Sequence, residues 1–295
     1  MAKINIMALR HSAFYAPLLM TIKGGFLQQQ GLQPTYTVQT PDNLIVDNLG
    51  SGSVHLAQSA PAVNFAPLEQ GEEPVMVHFA SINQRDGFYL TARERPRGEF
   101  QWADLEGQTV LVDHLFQPHA TLRYAMHLHG ADFERMTIVN AGDVDQMDRA
   151  FRSGQGAFVH QQGPAPQQLE ADGLGYRVAS VGEVLGPIAF SSLCATREWL
   201  ETDMALAFMH AYRQAMQRLL EISAAEVAKV IGEFLPGIAT DVLVRTIDDY
   251  KRLDTWSEDV TIKPDSYQTL LKVFLHSGYI TREHPFEQCV VNLQA

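Results

Sequence analysis

Cysteine is nearly absent: only Cys194 and Cys289 occur in 295 residues, and they form no CxxC pair. A disulfide scaffold is thereby excluded, and no zinc or thiol-exchange motif is offered. Long apolar runs are missing too. Lys23, His210 and Arg213 interrupt the longer hydrophobic stretches, well short of the roughly 18 to 20 residues that span a bilayer. Positive charge is scarce, with 22 Lys and Arg against 34 Asp and Glu, a formal net charge of -12, and no dense basic cluster. This balance speaks against nucleic-acid binding by phosphate neutralisation. Low-complexity tracts and short repeats are also lacking. What remains is an ordinary globular composition, 46% hydrophobic and 19% charged, in a chain long enough for one large or two linked units. The apolar stretch after Met1-Ala2-Lys3 is too short for a secretory leader. Localisation is therefore expected to be cytoplasmic if Met1 is the native start, and periplasmic or membrane-anchored if a leader was removed.

Apolar periodicity alternates between the strand and helix types. Strand patterns at 3–9, 33–38 and 54–58 alternate with helical ones at 18–26, 41–49 and 60–68, a βαβαβα rhythm that builds parallel sheets covered on both faces. Strand-like segments at 75–81 and 88–92 precede the polar stretch Arg93-Glu94-Arg95-Pro96-Arg97-Gly98-Glu99, the best boundary candidate. The alternation then restarts at Thr109-Val110-Leu111-Val112 and runs to about 171, an extended segment follows at 188–196, and the remainder is mostly helical. The expected organisation is a discontinuous first lobe, 1–93 plus 190–295, and a second lobe, 94–189. The chain crosses between them twice, and a helical tail completes the first.

Phe14-Tyr15-Ala16-Pro17-Leu18, Gly25-Phe26-Leu27 and Gly31-Leu32, then 49–57 and Phe100 to Val110, follow the pattern of a known family. The chain resembles substrate-binding proteins of the thiamine-precursor, sulfonate and nitrate type, the NMT1/THI5-like group, over nearly its whole length. The resemblance implies an α/β fold of two doubly wound lobes, periplasmic-binding-protein type 2, and a small-molecule ligand taken up for an ABC transporter permease. It does not imply which ligand. Two acidic positions of the family pattern are replaced, by His55 and by Gly154-Gln155-Gly156-Ala157; both read as turn or scaffold positions.

In such a fold ligands sit outside the carboxyl ends of the strands. The loop after the first strand offers Arg10, His11 and Tyr15; the third strand ends in Gln58-Ser59, with Ser59 the strongest single candidate because a helix start follows. Asn83 and Arg85 lie near the crossing. In the second lobe, His114, Phe116, Gln117 and His119 open a helix after a strand, and His160 and Gln161 end the next one. Amides, imidazoles and aromatic rings, with Arg10 and Arg85 the only nearby fixed cations, fit a heteroaromatic, pyrimidine-like molecule or a weak organic anion. A fully charged sulfonate or nitrate ranks second.

No catalytic residue, cofactor or metal site is expected. His127 and His129, two apart on a helix, face different directions and cannot chelate one ion. Both cysteines lie in apolar contexts and read as inert. The alternative is a cytoplasmic enzyme of pyrimidine-precursor or aromatic metabolism on the same fold, though no nucleophile is evident and no Cys-rich segment of the pyrimidine-synthase kind occurs. A sensor docking on a regulator is a weaker third reading.

Overall fold

The computed structural model describes residues 1–113 and 116–293. Among these residues ten strands form two five-stranded sheets. The first contains β1 (Ala2–Ala8), β2 (Leu32–Val38), β3 (Leu56–Ser59) and β4 (Val77–Ser81). The second contains β5 (Phe88–Ala92), β6 (Thr109–Val112), β7 (Thr137–Val139), β8 (Phe158–Gln162) and β9 (Tyr176–Ser180). The chain then returns to the first sheet as β10 (Ser192–Ala195). Strand order is β2-β1-β3-β10-β4 in one sheet and β7-β6-β8-β5-β9 in the other.

Side chains alternate across a strand, and here each sheet is covered on both sides. Ile4 and Ile6 of β1 enter the main core, while Met7, the next residue along the strand, packs with Ile45, Leu49 and Ala57 on the opposite face. In the second sheet Val110 and Val112 enter the main core, and Leu111 joins Met147, Phe151, Val159 and Leu169. The expected α/β fold of two doubly wound lobes is thus what the chain forms.

Local chemistry sets the helix boundaries. The helix Ala16–Lys23 begins with Pro17 in its first turn and stops at Gly24-Gly25, where Gly25 takes φ 84° before the short helix Phe26–Gln29. The helix read at 41–49 is confined to Ile45–Gly50, because Thr40 and Asn43 pair in a tight turn ahead of it. The segment read as a helix at 60–68 is a 3-10 turn, Pro61–Asn64, followed by Phe65–Glu69.

The strand pairing differs from the expected division in one respect. β5, on the first-lobe side of the anticipated break at 93/94, pairs antiparallel with β8 and β9. The chain therefore enters the second sheet before Phe88, and the polar stretch 93–99 follows a strand already inside it. The backbone at the crossing is tight: a Cβ on Gly182 would lie 2.1 Å from the Asp86 carbonyl oxygen, and one on Gly87 would lie 2.3 Å from the Phe14 ring.

The tail also does more than complete the first lobe. Helices Asp203–Glu221 and Ala224–Ile231 pack on Ala16–Lys23, but Thr240–Arg252 lies against Ala165–Ala171 and Pro264–His276 against Gln117–Leu128, both of the second lobe. Apolar faces on successive tail helices seat it on both lobes.

Candidate functional site

In each sheet the parallel strands point their carboxyl ends at the seam, and the antiparallel strand starts there. β1, β3, β6 and β8 run into Leu9, Ala60, Asp113 and Gly163, while β5 begins at Phe88 and β10 follows Ser191. Strand ends leave backbone and side chains unpaired, and this convergence places a cavity between the lobes.

The inner cavity, about 280 Å³, is lined by Leu9, Arg10, Tyr15, Gln58, Ala60, Ala62 and Val63 of the first lobe, by Phe88, Phe116, Gln117, Pro118 and Gln162 of the second, and by Phe190 and Ser191 of the return crossing. Four aromatic side chains give it apolar walls. Phe88 and Phe190 lie 6.2 Å apart between centroids, and the His160 ring stacks on Phe88 at 4.8 Å and 29°. Phe116, at the start of the helix Gln117–Leu128, takes φ 42°, a rare conformation for an aromatic residue and one that tends to be found at functional sites.

The polar groups are held with definite orientation. Gln58 Oε1 accepts the Leu9 N–H at 3.0 Å, which ties the first strand-end loop to β3. Gln117 Nε2 donates to the Ala189 carbonyl at 3.0 Å, while its Oε1 is buried without a partner among the described residues. Burial raises the Tyr15 phenol, against the opposing influence of Arg10 and of hydrogen bonds with Ser191 and Gln162. Tyr15 is therefore a neutral hydroxyl across the ordinary pH range.

Three polar contacts close the seam. Arg10 Nη1 and Asp113 Oδ2 form an ion pair at 2.7 Å, with side chains 14% and 7% exposed. Ser12 Oγ donates to the Gly163 carbonyl at 3.0 Å. The Gly163 N–H donates in turn to the Tyr250 hydroxyl at 2.7 Å. Outside the Arg10–Asp113 pair lies a larger cavity of about 780 Å³, lined by Leu9, Arg10, His11, Val38 and Asp113 together with Asn140, Gly142, Asp143, Val144, Asp145 and Met147. Burial lowers the His11 pKa, so that ring is neutral near pH 7.

Of the residues picked out by sequence, Arg10, Tyr15, Gln58, Phe116 and Gln117 line the inner cavity, and His11 lines the outer one. Ser59 is buried in β3 opposite Ser192, flanked by the lining residues Gln58 and Ala60 but absent from the wall itself. The expected helix start behind it is the Pro61–Asn64 turn. Asn83 supports the wall from behind, its Nδ2 donating to the Phe14 carbonyl at 2.7 Å. Arg85 lies at the crossing, 3.5 Å from the Gly182 carbonyl oxygen. His119 projects to the far side of its helix, where its Nδ1 meets the Tyr279 hydroxyl at 3.0 Å. His160 is buried behind Phe88, and burial lowers its pKa to about 3. Gln161 points to the opposite face of β8 from the lining residue Gln162, as strand alternation requires. His114 lies outside the described residues. Sequence reading missed Leu9, which follows β1, and Phe88, Phe190 and Ser191, which lie where β5 and β10 start at the seam.

The residues that replace family acids are structural. His55 Nδ1 accepts the Asn5 N–H at 2.8 Å, and Gly156, at φ 75°, sits where a Cβ would come 2.1 Å from Leu111. His127 and His129 diverge, the first toward His276 with centroids 4.1 Å apart, the second stacked on Trp102. Cys194 is buried with its thiol pKa raised, and burial pushes Cys289 up to about 11; neither forms a thiolate near neutral pH.

Two doubly wound α/β lobes meeting over a small cavity define a protein of the periplasmic-binding-protein fold. The chain belongs to the NMT1/THI5-like family, whose model, described as NMT1/THI5 like, matches residues 13–222. It is 26% identical over 294 residues to "Putative binding protein YtlA" of Bacillus subtilis (strain 168), covering 98% of this chain and 88% of that one. Among solved structures it is similar to the ligand-binding component of an ABC-type import system from Staphylococcus aureus with zinc bound. That likeness has TM-score 0.78 at 16% identity and covers 99% of this chain and 97% of that one. It is also similar to the alkanesulfonate-binding protein SsuA from Xanthomonas axonopodis pv. citri bound to MOPS, with TM-score 0.75 at 16% identity, covering 99% of both chains. These likenesses establish the fold.

Proposed function

We propose that the chain is a solute-binding protein of ABC-type uptake, closing its lobes on a small organic molecule and presenting the closed form to a permease. The observation that carries this reading is the inner cavity, walled by both lobes and by the return crossing and bridged by Arg10–Asp113. A guest touching both walls binds the closed arrangement better than an open one, so it shifts the population toward closure without any bond being made or broken. The family match and the binding-protein relative support the class. The buried thiols, neutral at working pH, supply no nucleophile for the enzymatic alternative.

Four aromatic walls and a few oriented amides and hydroxyls favour a flat heteroaromatic, pyrimidine-like ligand. The test is native mass spectrometry of the purified chain, followed by calorimetric titration of a panel of pyrimidines, sulfonates and nitrate. The expected result is one heteroaromatic molecule per chain, bound at least tenfold more weakly by Gln117→Ala. Tight sulfonate or nitrate binding with no pyrimidine bound would reject the ligand class.

A further inference from the structure

We infer that Asp113 is a specificity-determining residue, a charge filter that turns the cleft against anions and selects an uncharged or cationic ligand bearing N–H donors. The inference deepens the binding reading above and rests on it.

Among the described residues lining the two cavities Arg10 is the single Lys or Arg side chain, and it belongs to both linings. A free guanidinium there would be the natural anchor for a carboxylate or sulfonate. Asp113 occupies it instead, from the opposite lobe, at 2.7 Å and with little solvent access to either side chain. Removing the pair from water costs free energy that mutual neutralisation offsets, so an anion binding at Arg10 would add a second negative charge beside a buried carboxylate that already neutralises it.

The approach is acidic as well. Asp143 and Asp145 join Asp113 in lining the outer cavity, where three carboxylates face one guanidinium. The Asp143 carboxylate also caps the helix Val144–Arg152, accepting the Gln146 N–H at 2.8 Å. An anion entering by this route meets repulsion before it meets the pair.

Inside, Gln117 is 4% exposed, and with its amide nitrogen held by Ala189 it offers the cavity an acceptor oxygen that no other described group satisfies. A buried acceptor left empty is costly, so a ligand presenting N–H to it is preferred and one presenting only acceptors is disfavoured.

The experiment uses three probes that share one ring and differ in charge: benzoate, benzamide and benzamidine. Each is titrated by ligand-observed NMR into the full chain and into Asp113→Asn. The wild type is expected to bind benzamide and benzamidine at least tenfold more tightly than benzoate. Asp113→Asn should shift the benzoate to benzamide ratio by at least tenfold toward benzoate, and Arg10→Gln combined with Asp113→Asn should abolish that gain. Equal wild-type affinity for benzoate and benzamide, or a ratio unmoved in a folded Asp113→Asn, overturns the filter while leaving the binding reading intact. Should Asp113→Asn fail to fold, the wild-type ratio decides alone. Failure of all three probes to bind the wild type overturns the cavity as a ring-binding site, and the filter with it.

Discussion

Tyr250 and Gly163 are joined across the molecule: the Gly163 N–H donates to the Tyr250 hydroxyl at 2.7 Å, and that hydroxyl donates to the Gly87 carbonyl at 3.1 Å. One tail side chain thus ties the loop after β8 to the crossing before β5. Tyr250→Phe keeps the ring packing and leaves both buried backbone groups without this partner, at a cost of about 1–3 kcal/mol. Urea denaturation should show that loss, and small-angle scattering a more open particle. Unchanged values in both would mean that the hydroxyl contributes nothing to closure.

Gly182 meets the crossing backbone so closely that Gly182→Ala must push Asp86 aside. Because the obstacle is a carbonyl and not a flexible side-chain tip, the expected loss is about 1–3 kcal/mol. Gly98→Ala, where a Cβ meets open space, is the control and should leave the melting temperature unchanged within a degree or so.

Acid should weaken the fold, with a sign set by three buried groups. Burial lowers the pKa values of His78 and His160 to about 3 from an ordinary 6.5, so the unfolded chain binds more protons below pH 6.5 and stability falls as pH drops toward 3. Asp86 acts oppositely: burial raises it to about 7 from 3.8, opposed by hydrogen bonds from Thr121 and the Phe88 N–H. Its contribution is favourable at low pH and is lost as pH rises from about 4 through 7. Between pH 6 and 4 the two histidines outweigh one carboxyl, a net loss on the order of 1 kcal/mol per pH unit. Denaturation midpoints over that range should show it, and Asp86→Asn should steepen the acid loss. A stability that increases on acidification would contradict the assignment.

Gln58→Leu preserves bulk but deprives the Leu9 N–H of its acceptor. Stability should fall by about 1–2 kcal/mol, and affinity for any cavity ligand should drop, because the backbone that carries Arg10 loses its anchor. Calorimetry beside denaturation separates the two; intact affinity would show that the loop holds its place without Gln58.

The strands were legible because their apolar residues alternate or run continuously over short spans, as at 3–9 and 109–112. Arg10, Tyr15, Gln58, Phe116 and Gln117 were legible as cavity residues because they follow strands and open helices. Gln162 lines the wall and Gln161 does not, since neither residue type nor local pattern fixes which face of β8 turns to the seam. Ser59 lies outside the lining for a related reason: it belongs to a strand whose residues are all buried. The sheet membership of β5 was hidden because a strand of Phe, Tyr, Leu, Thr and Ala pairs equally well with either sheet.

The order of residues along the chain was enough to specify two wound α/β lobes, two crossings and a helical tail, because these follow from short-range periodicity and turn chemistry. Which lobe claims β5, how the tail straddles both, and that Asp113 is set against Arg10 103 positions away are decided only on folding. Those pairings depend on distances between segments remote in sequence, and no local pattern encodes them.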